Sequence, residues 1–152
     1  VMRALVRRVL SSTVSVNNQA VGEINRGLIV YLAIHKDDED KDLEWISQKI
    51  LGMRVFEDDK QKMNISLVEK EYELMLISQF TLFGSLRKGV RPSFNDAATT
   101  GFAAVQYHKF LQILKEKLKG RVASGEFGAD MKIHSVDDGP VSIWLDSKEK
   151  NY

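Results

Sequence analysis

A chain of 152 residues with 43% hydrophobic and 28% charged side chains falls in the ordinary globular range and is long enough for one sizeable core. The absence of cysteine excludes a disulfide framework, a thiolate nucleophile and a cysteine zinc site, and a net charge of +1 argues against nucleic-acid binding by bulk electrostatics alone. The longest strongly apolar run, Leu28 to Ile34, is far below the roughly 20 residues that span a bilayer, and no basic-then-apolar signal pattern precedes it. One soluble, cytoplasmic domain over residues 1–152 is expected, with Met2-Arg3-Ala4 reading as a natural start and Val1 given no weight.

Ala4 to Val9 reads as a first strand, and Thr13 to Val16 alternates polar and β-branched residues before the turn signal Asn17-Asn18. After a return through Val21 to Ile24 and a break at Gly27, Leu28 to Ile34 is continuously apolar, as expected of a central strand buried on both faces. Asp37 and Asp38 offer N-caps for a helix carrying Leu43, Ile46, Ile50 and Leu51, with Gly52 as its stop. The acidic run Asp37 to Asp40 reads as the solvated start of that helix. Arg54 to Phe56 reads as a strand and Asp58-Asp59-Lys60 as a turn.

Tyr72 to Phe83 is the next long apolar and aromatic run, with Ser78, Gln79 and Thr81 at its far end. A basic loop from Gly84 to Phe94 precedes a second helix over about 101–119, where Tyr107, Leu111, Leu114 and Leu118 repeat at helical spacing and Gly120 ends the element. Ala129 to Val136 and Val141 to Leu145 read as two strands joined by the turn Asp137-Asp138-Gly139-Pro140. The order of elements predicts an α/β fold: a single mixed domain whose sheets form a barrel-like or layered core with two main helices.

The common catalytic signatures are missing. His35, His108 and His134 lack the spacing that gathers imidazoles around zinc, so no metal is expected, and no cofactor motif is present. There is no phosphate loop and no nucleophile elbow. Asn64-Ile65-Ser66 matches a glycosylation sequon by chance. Lys115, Lys117, Lys119 and Arg121 complement a helix C-terminus. Two segments stand out. Ser78-Gln79-Phe80-Thr81-Leu82 puts three hydrogen-bonding side chains at the end of a buried strand, where they either satisfy strand-end backbone groups or face a ligand. Asp138-Gly139-Pro140-Val141-Ser142 reads as a tight turn whose X-Pro bond, from local sequence alone, is expected to be trans.

Ser78-Gln79-Phe80-Thr81-Leu82 in mid-chain followed by Gly139-Pro140-Val141-Ser142 near the end resembles the two signature motifs of the D-aminoacyl-tRNA deacylases. The resemblance extends through Met2 to Val9, Lys62-Met63-Asn64, the loop from Gly89 to Phe94 and the stretch from Gly125 to Met131. It implies the deacylase fold and a homodimer in which Ser78 to Leu82 of one subunit faces Gly139-Pro140 of the other across a cis Gly-Pro bond. The substrate it implies is tRNA carrying a D-amino acid or glycine. Gln79 and Thr81 would be catalytic; Ser78, Phe80, Gly139, Pro140, Phe127 and Met131 would bind substrate or line the site; Arg8 and Ser142 would support it. Arg87, Lys88 and Arg91, clustered in one Gly-containing loop, would contact tRNA. Asp137 and Ser142 depart from the family pattern, which usually has Asn and Thr there, and Asp137 puts a carboxylate beside the pocket.

The resemblance also implies that the 2′-hydroxyl of the terminal adenosine assists attack, with backbone amides around Phe80 and Thr81 as the oxyanion site. Thr81 as covalent nucleophile is the competing reading, and it lacks a visible activating base. A non-enzymatic RNA-binding module and a small-ester hydrolase are the rival functions. The first would leave charged tRNA intact, and the second would act on esters lacking RNA.

Overall fold

The computed structural model describes residues 1–150. Its centre is one six-stranded sheet built around β1 (Arg3–Val16), β2 (Gln19–Ile24), β3 (Gly27–Ala33), β6 (Glu73–Ser78), β7 (Val122–Ser124) and β8 (Lys132–Asp146). Two short strands, β4 (Phe56–Glu57) and β5 (Met63–Ile65), pair separately. The helices are α1 (Asp40–Gly52), α2 (Leu67–Lys70) and α3 (Thr100–Lys117). None of them is long and apolar enough to cross a membrane.

The strand order is β2-β1-β3-β6-β7, with β8 along the other side of β1. β1 pairs antiparallel with β3 through Val9, then with β2 from Ser12 onward, so one long strand serves two neighbours on the same side. β3 and β6 run parallel, as do β6 and β7. β7 curls back toward β2: Arg121 Nη1 donates to the Glu23 carbonyl at 3.0 Å. The sheet therefore comes close to closing on itself. Alternation along β1 sends Ala4 and Val6, with Met2 just ahead of the strand, into a large core shared with α1 and α3, where Ile46, Ile50, Tyr107, Phe110 and Leu114 are buried. Val9, Val14, Ile24, Ile29, Met75 and Ile77 fill a second core inside the curl.

Several boundaries differ from those expected. The first strand is continuous from Arg3 to Val16, and Asn17 and Asn18 both take positive φ, as the tight hairpin turn requires. The cap of α1 is Glu39, whose amide donates to the Asp42 carboxylate at 2.8 Å. Asp38 is not a solvated helix start: it is buried and accepts the His35 amide at 2.7 Å, and burial pushes its carboxyl above the usual range. Gly52 lies inside α1, and the extended residue Met53 follows it. The strand expected over 54–56 is Phe56–Glu57.

Helix α3 ends at Lys117 with Leu118 extended, so Gly120 does not stop it. Gly120 instead lies where a Cβ would sit 2.2 Å from the Tyr72 carbonyl oxygen, a close backbone approach open only to glycine. The run from Tyr72 to Phe83 is a strand only as far as Ser78 and continues as a 3-10 turn, Phe80–Phe83. The two C-terminal strands are one. β8 passes through Asp137 to Val141 without a reversing turn, because both halves bond to β1, which is itself long enough to hold them in line.

Candidate active site

β6 carries the first motif to the sheet's end. Ser78 is its last ladder residue, opposite Leu32 of β3, and the Gln79 amide still donates to the Leu32 carbonyl at 2.8 Å. The backbone then leaves the extended region, and Phe80–Phe83 form a single 3-10 turn closed by Leu82 N donating to the Gln79 carbonyl at 3.2 Å. The opening amides of such a turn have no carbonyl one turn back. Those of Phe80 and Thr81 have no protein acceptor among the described residues. The Gln79 side-chain amide donates to Thr81 Oγ1.

This turn borders an open cleft of about 550 Å³. Ser78, Gln79, Phe80, Phe127 and Met131 line it, so five of the residues expected at the site share one cavity. Thr81 is exposed beside them and is not a lining residue. The opposite wall was missed from sequence: Phe94, Ala97, Ala98, Thr100 and Ala103 also line the cleft. Residues 96–98 are stitched to the end of β3, with Ala98 N donating to the Ile34 carbonyl at 3.0 Å and Lys36 N to the Asp96 carbonyl at 3.1 Å. Thr99 then caps α3. The signal available in the sequence was the run of small residues Ala97-Ala98-Thr99-Thr100 ahead of a helix.

Aromatic packing sets the cleft's shape. Phe80 is 55% exposed yet meets Phe94 edge-on at 5.1 Å, and Phe127 packs on buried Tyr107 at 5.5 Å. Tyr107 donates to the Leu76 carbonyl at 3.1 Å, and burial pushes its hydroxyl up to about 12, which keeps it a neutral donor under β6. The one titratable side chain among the lining residues is Asp130, paired with Lys132 at 3.1 Å. No group of three potential metal ligands occurs among the described residues.

The second motif lies on β8. Arg7 is opposite Ser142 and Val9 is opposite Asp137, so Asp138, Gly139, Pro140 and Val141 bulge out across from Arg8 alone. Arg8 is 6% exposed and is the hub of this bulge: Nε donates to the Asp138 carbonyl at 3.1 Å and Nη1 to the Val55 carbonyl at 2.7 Å. The Gly139–Pro140 bond is cis, in contrast to the trans bond that local sequence suggests. Gly139 has φ +125°, and a Cβ there would meet Val141 Cγ2 at 2.9 Å and Arg8 Nη2 at 3.2 Å. Asp137 accepts from the Arg7 guanidinium, which accounts for its carboxylate, and Ser142 is exposed where the ladder resumes. Gly139 and Pro140 are exposed and do not line the cleft of their own chain.

Arg87, Lys88 and Arg91 lie in a loop whose base is closed by reciprocal backbone bonds between Ser85 and Ser93 at 2.8 and 3.0 Å. All three are exposed, as is Val90 at the tip, and none lines the cleft.

The chain as a whole resembles proteins of a known family. The model of the family described as D-Tyr-tRNA(Tyr) deacylase matches residues 5–146. A D-aminoacyl-tRNA deacylase of Petrotoga mobilis is 47% identical over 148 residues, 97% of this chain and 99% of that protein. One from Clostridium botulinum strain Loch Maree is 46% identical with the same coverage. Among solved structures, the c-Myc DNA unwinding element binding protein superposes with a TM-score of 0.90 at 39% identity, over 95% of this chain and 97% of that one. A probable eukaryotic D-amino acid tRNA deacylase shares the fold, with a TM-score of 0.82 at 21% identity over 95% and 98% of the two chains. A match that runs from β1 to the end of β8, with relatives of nearly equal length, shows that the chain belongs to the D-Tyr-tRNA(Tyr) deacylase family.

Proposed function

We propose that this protein hydrolyses the ester between a D-amino acid, or glycine, and the 3′ end of a tRNA, and rejects the L-aminoacyl ester. The observation that carries the reading is the 3-10 turn that follows Ser78 and Gln79 at the cleft, whose Phe80 and Thr81 backbone amides have no protein acceptor among the described residues. Fixed amides of this kind stabilise the negative charge that forms on an ester's carbonyl oxygen under attack, because they need no reorganisation as the charge develops. Water adds to the carbonyl carbon, the tetrahedral intermediate collapses, and the adenosine 3′-oxygen leaves with a proton. The products are free amino acid and tRNA.

The 2′-hydroxyl of the terminal adenosine is the assisting group in this reading. Thr81 fits less well as nucleophile: its oxygen accepts a hydrogen bond from the Gln79 amide, which is a donor and cannot take the Thr81 proton. With the amino acid esterified at the 3′ position, replacing the 2′-hydroxyl by hydrogen should slow turnover far more than Thr81→Ser. The reverse ranking favours the covalent route.

Chirality is read across a homodimer. The exposed Gly139-Pro140 bulge of one subunit enters the partner's cleft, where its carbonyls accept from the substrate's α-ammonium and leave no room for a side chain on the L side. Glycine passes such a filter. Enantiomers offer identical groups, so selectivity comes from fixing the ammonium and the ester and obstructing one direction. Support for a dimer comes from β8, an edge strand with Val136 53%, Ile143 36% and Trp144 39% exposed. The setting is the cytoplasm, where charged tRNA is the partner.

The deciding experiment incubates the protein with D-aminoacyl-, glycyl- and L-aminoacyl-tRNA side by side. Release from the first two, with the third nearly untouched, is the expected result. Equal rates on both enantiomers would sink the chiral reading, and intact D-aminoacyl-tRNA would leave an RNA-binding role or the hydrolysis of small esters lacking RNA.

A further inference from the structure

We infer that Arg3 is a positioning residue for the reaction, a clamp that fixes the 3-10 turn from its far end. The inference rests on the proposed role of the Phe80 and Thr81 amides. Arg3 projects from the start of β1, lies 5.7 Å from the centre of the Trp144 ring, and makes three closer contacts. Its Nη1 donates to the Leu82 carbonyl at 2.9 Å, its guanidinium carbon lies 4.7 Å from the centre of the Phe83 ring, and its Nε pairs with Asp146 Oδ2 at 3.1 Å. Leu82 and Phe83 are the last two residues of the turn whose first two residues carry the free amides.

On the cleft side the start of the turn is held by the Gln79 amide on the Leu32 carbonyl at 2.8 Å and by Phe80 against Phe94 at 5.1 Å, which leaves its far end to Arg3. Thr81 is exposed, and the turn's own closing bonds are the Leu82 and Gly84 amides at 3.2 and 2.9 Å. A 3-10 turn rises about 2 Å per residue, and Leu82 bonds back to the Gln79 carbonyl at 3.2 Å, so Leu82 lies close to the start of the turn and is bonded to it. The clamp's own anchor is buried and bonded: Asp146 is 2% exposed, ends β8, and accepts the Lys148 amide at 2.9 Å through its other oxygen. Because β8 also carries the Gly139-Pro140 bulge, Arg3 couples the strand bearing one motif to the turn bearing the other. The planar guanidinium suits this task, since it bonds a carbonyl and a carboxylate along different edges while stacking on an aromatic face. A cation at the carbonyl end of the turn also complements its dipole.

The test is steady-state deacylation of D-aminoacyl-tRNA by the full chain, with kcat and KM resolved. Arg3→Ala is expected to lower kcat about ten- to hundredfold, the scale of an ångström's misplacement of a reacting group. KM should stay within about threefold, since Arg3 does not line the cleft. Millimolar guanidinium, far below denaturing levels, should restore part of kcat. Arg3→Lys, whose ammonium reaches the Leu82 carbonyl or Asp146 but not both, should fall between the two. A kcat for Arg3→Ala within about twofold of wild type, or a loss that added guanidinium leaves unchanged, overturns the assignment. Should Arg3→Ala fail to fold, Arg3→Lys and Asp146→Asn are measured in the same way, and wild-type kcat in both overturns it. A wild-type protein inactive on D-aminoacyl-tRNA would instead refute the function proposed above.

Discussion

Arg8 and Gly139 make sense only together. A buried arginine is costly unless its donors are matched, and Arg8 meets that demand with the Val55 and Asp138 carbonyls and the Asp138 carboxylate at 3.3 Å. The bulge can curl around the guanidinium because Gly139 brings no side chain to the contact and tolerates φ +125°. Gly139→Ala would place a methyl group against Arg8 and Val141 in a backbone region that costs about 1–3 kcal/mol for other residues. The melting temperature should fall by roughly 2–10 °C. Rejection of L-aminoacyl-tRNA, or activity itself, should weaken well before the fold is lost. A variant with the wild-type D/L ratio would show that the bulge does not read chirality.

At the scale of elements, what the sequence disclosed was what periodicity and local chemistry can encode. The continuous apolar run of β3, the spacing of Tyr107, Leu111 and Leu114 in α3, and the Asn17-Asn18 turn were all legible, because each depends on residues a few positions apart. Helix α2 was overlooked although Ser66 and Glu69 form a complete capping box, a signal present in the sequence. The single span of β8 was not legible. Asp-Gly-Pro reads locally as a turn, and only its partner β1, more than a hundred residues away, holds it straight. The motif residues of the cleft were recognisable by resemblance. The Phe94 and Ala97–Ala103 wall was not, since long-range bonds to Ile34 and Lys36 position it. The basic loop belongs to this scale too. Its bonded base, Ser85 to Ser93, makes it an independent unit, so removing Arg87 and Lys88 together should leave saturated kcat nearly intact. It should raise KM for charged tRNA and reduce the dependence of affinity on salt, by about 0.7 in slope per lost contact on single strands. Unchanged binding would assign the pair to solubility.

For the molecule as a whole, the two motifs lie on one chain but do not share a cavity, so the proposed chemistry needs two chains. Val136→Asp places a charge on the exposed part of β8 ahead of the bulge, at a side chain that is 53% exposed in the monomer. Light scattering should then report a monomer, and specific activity should drop steeply while thermal stability changes by no more than the dimer contributes. For the wild type, specific activity should decline on dilution through the dissociation range. An active monomeric variant would locate both motifs within reach of a single chain and overturn the interface reading.

The four-residue bulge has a further consequence for solubility. β8 is a fifteen-residue strand whose outer edge is unpaired among the described residues, a length that invites other chains to add on without limit. The excursion from Asp138 to Val141 cuts this edge into two short tracts, Lys132 to Asp137 and Ser142 to Asp146. Pro140 removes a backbone donor within it. An incoming strand could therefore lie flush against only a few residues at a time. The segment proposed to sort enantiomers thereby also shortens the regular edge that an added strand could use.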